Sequence, residues 1–274
     1  MLLCDCTVDG CCTALCRRSP GAETDDNPGR ITAFGQSAGA ASILALMCMP
    51  DAQGLFKRCI IQSPCVEHFF TPEESLKNAE LFMRVLGAHS PEDILSLPED
   101  RIIEAAEKYE RGLMLRGDIR CAFSPIIDGR FLPVAPVEGV KQRPLPMLIG
   151  NTLKEGDFFL QPYPTALLPF IAGYLHVKIP RGEDRYRHRA SDGLTQKVFL
   201  EPMERLLRDY NAPVWKYEYR HGENLGHSGE LPTLFDATDD ATGLEMRRIW
   251  GQFARTGQLD WPEYGLSQYV YGFD

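Results

Sequence analysis

The stretch Ile31-Thr32-Ala33-Phe34-Gly35-Gln36-Ser37-Ala38-Gly39-Ala40-Ala41-Ser42 decides the fold. Its first four residues make a strand-like run. Gly35 and Gly39 then bracket Ser37 in a Gly-x-Ser-x-Gly pentapeptide, and the small and apolar residues that follow read as a helix ending before Pro50. Strand, tight turn and helix in this order can hold a serine exposed on a sharp bend, because glycines on either side remove side chains that would collide there. A helix starting after Ser37 also aims backbone N–H groups, Ala38 first, at negative charge developing on a carbonyl oxygen. A structural turn without chemistry is the alternative for the same five residues.

The neighbouring segments repeat the alternation. Arg58 to Gln62 is a second strand-like run. Thr71, Pro72 and Glu74 have the spacing of N-cap, N1 and N3 of a helix that Gly87 ends, with Leu76, Ala79, Met83 and Leu86 on the face expected to be buried. Ser90, Pro91 and Asp93 open another helical stretch, and Met147, Leu148 and Ile149 read as a strand. Arg181 to Gly193 is charged without an apolar period and is expected to be a solvated loop. Trp215, Tyr217 and Tyr219 alternate with Val214, Lys216 and Glu218 as in a strand. Met246, Ile249, Trp250 and Phe253 mark one face of a last helix that stops at Gly257. Such alternation predicts an α/β fold with a mostly parallel sheet.

Composition narrows the function classes. The 274 residues, 44% of them hydrophobic, suffice for one large domain or two small ones. A formal charge of -9 opposes a nucleic-acid or anionic-membrane partner. The longest apolar stretches, Ala38 to Met49 and Thr165 to Val177, fall short of the ~20 residues of a membrane span. The first residues lack a positive n-region, so the expected compartment is the cytoplasm. Of nine cysteines, Cys4, Cys6, Cys11, Cys12 and Cys16 crowd into residues 1–24, a segment without period that is expected to be a disordered tail. An odd total without an even framework suits reduced thiols. No C-x-x-C or histidine pair completes a zinc pattern, so neither metal nor cofactor is expected.

Four blocks carry a resemblance. Arg30 to Ser42 resembles the nucleophile block of the type-B carboxylesterases, the carboxylesterase/cholinesterase family, with the para-nitrobenzyl-esterase-like bacterial branch the nearest. Gly54 to Ser63 is similar to the strand that follows it, Ser124 to Pro133 to the family's Pro-x-x-Asp-Gly-x-x-Leu-Pro stretch, and Trp250 to Gly257 to its terminal helix. The resemblance implies an α/β-hydrolase fold, in part, over residues 25–274. It also implies a serine esterase acting on small-molecule carboxylic esters through an acyl-enzyme.

Ile149 to Gly156 matches the block that ends in Asp-Glu-Gly, which makes Glu155 the triad acid, with Lys154 in place of the usual aspartate. Gly226 to Pro232 matches the His-Gly-x-Glu-Leu-Pro block, which makes His227 the general base. Glu230 then reads as a structural partner of the His227 loop, with Asp128 and Asp157 as weaker competitors for the acid. The order Ser37, Glu155, His227 is that of the fold. Phe158, Phe159, Tyr163 and Phe170 line either an apolar pocket or the core.

Relatives in this family are longer upstream and carry a His-Gly-Gly-Gly-type loop. No two adjacent glycines occur here. The resemblance therefore implies an N-terminally truncated chain with a missing N-terminal half as its partner. Its activity is expected to be low, since Ala38 is the one oxyanion donor left and each lost donor costs about 10²–10³ in kcat. A non-catalytic binding module, or a degenerate fragment of the same fold, is the alternative.

Overall fold

The computed structural model describes residues 2–3, 31–115, 120, 122–160, 183–235 and 240–274. They fall into two compact units, one of residues 1–67 and 136–274, the other His68–Ala135.

The larger unit is built on a parallel sheet in strand order β1 to β6, the same as the sequence order. The strands are β1 (Leu2–Leu3), β2 (Thr32–Gln36), β3 (Arg58–Gln62), β4 (Met147–Thr152), β5 (Val214–Tyr219) and β6 (Val270–Phe273). Parallel neighbours need crossovers. The helices that supply them are α1 (Ala38–Cys48) after β2, α5 (Pro136–Gly139) before β4, and α6 (Glu155–Leu160), α7 (Glu183–Leu194) and α8 (Glu201–Leu207) between β4 and β5. Beyond β5 come α9 (Glu230–Phe235), α10 (Ala241–Thr256) and α11 (Tyr264–Ser267).

Both faces of the sheet are covered, and the strand pleat sorts the residues between them. Cys59, Ile61, Met147, Ile149 and Val214 pack with Ala40, Ile43, Leu44 and Met47 of α1 and Met203 and Leu206 of α8. Their chain neighbours Ile60, Leu148, Trp215 and Tyr217 point the other way, onto Met246, Ile249, Trp250 and Phe253 of α10. The expected apolar face of that last helix is the buried one. With two faces to cover, the central strands read as continuous apolar runs, and β4 is buried at all six positions. Lys216 in β5 is buried as well; its ammonium meets Glu204 at 3.1 Å and lies over the Tyr264 ring.

In the smaller unit, α2 (Pro72–Leu86), α3 (Pro91–Leu95) and α4 (Glu99–Leu115) surround Phe82, Leu86, Ala105, Tyr109 and Leu113. Thr71 and Ser90 cap α2 and α3 through reciprocal bonds with Glu74 and Asp93, as their spacing predicts. Gly87 ends α2 at φ 78°.

Four expectations need correction. The buried stripe of α2 runs through Phe82 and Leu86 with Leu81 and Val85 beside it, whereas Leu76 and Ala79 are exposed. The 3.6-residue period leaves two overlapping faces, and tertiary contact chose the one with the aromatic ring. Within the expected loop Arg181 to Gly193, the described residues are helical, since α7 occupies Glu183–Leu194 and continues into a π-helical turn, Thr195–Leu200. This helix docks through small residues. Ala190 and Ser191 are buried, and a Cβ on Gly156 of α6 would come within 2.3 Å of the Ser191 carbonyl oxygen. Close backbone approach of this kind leaves no apolar period to read.

The helix ending at Gly257 is not the last element either, because α11 and β6 follow it. Finally, the head of the chain is not wholly without structure. Leu2 and Leu3 pair in parallel with Ala33 and Phe34. Its five cysteines lie outside the described residues.

Candidate active site

The carboxyl ends of four neighbouring parallel strands converge on one cluster. Ser37 follows β2 and initiates α1. It sits at φ 56°, ψ -120°, a left-handed conformation that an L-residue adopts only under constraint. The constraint is visible on both sides. The Ser37 N–H donates to the Gln62 carbonyl at 2.9 Å. A Cβ on Gly35 would lie 2.7 Å from the Gly39 carbonyl carbon and 3.0 Å from the Ala40 nitrogen. Strand and helix can meet this closely only because Gly35 has no side chain, and Ala38 opens the helix directly behind the serine.

Glu155 begins α6, three residues after β4, and is fully buried. Its Oε1 accepts the Thr152 N–H at 2.7 Å and the Ser63 hydroxyl at 2.6 Å. Ser63 directly follows β3 at φ 45° with its N–H on the Gly150 carbonyl, so a second left-handed serine aims its hydroxyl at Glu155. The acid loop is tied to the segment after β5 by Leu153 N–H to the Tyr219 carbonyl and Lys154 N–H to the Leu225 carbonyl, both 2.9 Å. Lys154 therefore serves this turn through its backbone, which any residue can supply.

His227 lies on that segment, buried. Its Nδ1 is 2.5 Å from Glu155 Oε2 and its Nε2 is 2.7 Å from Ser37 Oγ. A carboxylate can only accept, so the proton sits on Nδ1 and Nε2 is free to accept from the serine hydroxyl. The Gln36 side-chain amide also lies 3.2 Å from Nε2. The phenyl rings of Phe158, Phe159 and Phe199 surround the imidazole, with centroids 5.9, 5.1 and 5.0 Å away. Serine, imidazole and carboxylate therefore form one continuous relay. Such a relay can move a proton off Oγ and hold the resulting imidazolium.

The three residues singled out from the sequence are brought together. Of the competing acids, Glu230 is buried beside the relay on the first turn of α9, while Asp128 accepts the Arg130 and Leu132 N–H groups of its own turn in the smaller unit. The Asp157 N–H bonds to the Lys154 carbonyl, which makes it part of the acid turn. Tyr163 and Phe170 lie outside the described residues. Sequence reasoning missed Ser63, Gln36 and Phe199. The first two lie inside matched blocks, directly after a strand and beside Ser37, and that placement was the available signal. Phe199 had none.

No group of three metal-ligating side chains occurs among the described residues, and no helix among them is long and apolar enough to cross a membrane. A cavity of about 300 Å³ at the opposite, amino-terminal end of β5, between Leu207, Tyr210, Pro213 and Tyr264, is remote from the relay.

The sequence profile of the carboxylesterase family matches residues 25–168, just over half of the chain. The chain belongs to the carboxylesterase family. This carboxylesterase-family chain is 27% identical to the para-nitrobenzyl esterase of Bacillus subtilis over 283 residues, which cover 87% of it and 57% of that protein. It is 28% identical to a probable N-octanoylanthranilate hydrolase of Rhodococcus erythropolis, covering 88% of itself and 57% of the relative. In three dimensions it superposes on the crystal structure of a Geobacillus stearothermophilus carboxylesterase with TM-score 0.69 at 26% identity, covering 90% of this chain and 60% of that one. The fold is thus the α/β-hydrolase fold, in part, and the chain spans well under two thirds of the length of these relatives.

Ser63 gives the relay a test of its own. Ser63→Ala leaves the buried Glu155 Oε1 with one donor in place of two. Loss of a hydrogen bond to a charged group is worth about 1.5–3 kcal/mol, so kcat/KM for an ester is expected to fall about tenfold or more, with little change in KM. Steady-state kinetics of the variant check this.

Proposed function

We propose that the chain carries the catalytic centre of a serine carboxylic-ester hydrolase that works through an acyl-enzyme. The observation that supports it best is the unbroken relay Ser37, His227, Glu155 at 2.7 and 2.5 Å. His227 takes the hydroxyl proton as Ser37 Oγ bonds to the ester carbonyl carbon, then returns that proton to the departing alcohol. Water then attacks the acyl carbon as it gives a proton to His227, the bond to Ser37 Oγ breaks, and His227 returns the proton to Oγ as the acid leaves. Glu155 orients the imidazole and balances its charge in both halves. The Ala38 N–H, at the start of α1, is the oxyanion donor this chain supplies.

Substrate preference follows from the apolar wall on the imidazole. Phe158 is partly exposed beside His227, and an aromatic or alkyl leaving group suits that surface better than a charged one. The named activity of the Bacillus subtilis relative makes para-nitrobenzyl and para-nitrophenyl esters the natural probes.

The direct test is covalent. Incubation with a fluorophosphonate, followed by intact mass and peptide mapping, is expected to give a single adduct on Ser37. An unlabelled Ser37 peptide, or label spread over other hydroxyls, overturns the reading. The absolute rate on a para-nitrophenyl ester then reports how much oxyanion stabilisation these 274 residues supply by themselves.

A further inference from the structure

The relay is not the only place where charge is buried at this end of the sheet. Glu230, three residues after His227, is fully enclosed. Gln62 Nε2 donates to its Oε1 at 3.2 Å, and Gln62 is in turn held by the Trp250 indole N–H of α10 at 3.4 Å. Glu230 Oε2 makes no hydrogen bond to any other described residue. The last residue of β3 and the one after it thus serve two buried carboxylates, Gln62 for Glu230 and Ser63 for Glu155.

A purely structural role explains this poorly. Enclosing a carboxylate without a cationic partner costs several kcal/mol, and a glutamine would fill the same space and accept the same bond at lower cost. Burial, with the charge of Glu155 added, pushes Glu230 up to about 7, while His227 and Gln62 act in the opposite direction. The groups facing it from the packed elements are Glu155 and His227 from the two loops, Gln62 from β3, Tyr217 and Tyr219 from β5, and the neutral Trp250 from α10. Arg247 of α10 donates to the Thr233 and Leu234 carbonyls.

We propose that Glu230 is a positioning residue that acts on His227 through its field: its ionised form adds a second negative charge behind the imidazole and strengthens its hold on the Ser37 proton. The catalytic consequence rests on the hydrolase reading above; the electrostatic coupling does not. Coupling is mutual, so a proton on His227 favours ionised Glu230 by the same amount.

Glu230→Gln keeps the shape and the Gln62 bond while removing the charge. At pH 8.5, where Glu230 is ionised, the variant is expected to lower kcat/KM by up to about threefold. At pH 5.5, where Glu230 is protonated, the two rates are expected to be nearly equal, so the profiles of the two proteins diverge as pH rises through about 7.

Two readouts do not need turnover. The imidazole of ¹⁵N-labelled His227, assigned by loss of its signal in His227→Gln, is expected to titrate about half a unit lower in Glu230→Gln, a threefold loss of proton affinity. Stability gives the second. Because the folded protein binds the Glu230 proton more tightly than the unfolded chain, the stabilisation it gives is present below about 4.5 and is lost as pH rises to about 7. Glu230→Gln is expected to flatten that decline in thermal midpoint.

Parallel rate profiles with an unmoved His227 titration would sink the proposal. If no Ser37-dependent hydrolysis is found, the hydrolase reading falls while the His227 titration still decides the coupling. If Glu230→Gln does not fold, Gln62→Leu leaves Glu230 in place but without its donor. The Glu230 midpoint, read by ¹³C-carboxyl resonance, is then expected to move upward, and an unchanged midpoint overturns the assignment.

Discussion

Ser37→Ala is expected to lower kcat on a para-nitrophenyl ester by about 10⁴-fold or more, and His227→Gln by a similar factor. Neither change should alter the circular dichroism spectrum. The serine hydroxyl is useless as a nucleophile without an acceptor for its proton, and the imidazole, 2.7 Å away, is useless as a base without the hydroxyl. The two therefore act as a unit, so the double variant is expected to be no slower than either single one. A rate in Ser37→Ala above one tenth of that of the unaltered chain would mean that hydrolysis arises elsewhere. Additive losses in the double variant would mean that the two residues serve separate steps.

The second large effect is on the fold and the site together. Gly35→Ala is expected to lower the thermal midpoint by about 5–10 °C, on a cost of about 3 kcal/mol, and to abolish most of the ester hydrolysis. The added methyl would meet backbone atoms, the Gly39 carbonyl carbon at 2.7 Å and its oxygen at 2.8 Å, which have no rotamer with which to retreat. Either α1 moves off β2 or Ser37 leaves its left-handed conformation, and both displace Oγ from His227. Thermal melts and kinetics on the same preparation check the pair of effects. Full activity with an unchanged midpoint would show that the elbow tolerates a side chain there.

These two predictions draw on residues that are legible in the chain, because each expresses a local rule. Gly35, Ser37 and Gly39 fall within five residues, and the caps of α2 and α3 within four. The steric and hydrogen-bonding demands of a tight bend or a first helical turn are met by neighbours in sequence, so residue type betrays them. The acid and base were located by blocks matched in the right order. Nothing in their own surroundings marks Glu155 over Glu230, since both are glutamates beside apolar residues in turns that open short helices.

What separates the two glutamates is distance across the fold. Glu155 reaches His227 over 72 positions, and Glu230 reaches Gln62 over 168. The misread segments fail for the same reason. The helix α7 docks through Ala190 and Ser191 against a glycine, where the fit is backbone to backbone and carries no hydrophobic period. In α2 either of two overlapping faces satisfied the period, and the partners on α4 selected Phe82.

The sequence by itself determined the bend at Ser37, the alternation that makes the fold α/β, and the membership of three side chains in one family pattern. The bend and the alternation are set by steric limits on φ and ψ and by burial periods that act over a few residues, whereas the three side chains were marked by the resemblance alone. Only the tertiary structure decided which carboxylate faces the imidazole, that Ser63 and Gln62 hold one buried acid each, and that three phenyl rings enclose His227. Those relations depend on how parallel strands far apart in the chain are brought into register, and electrostatics and close packing act through space.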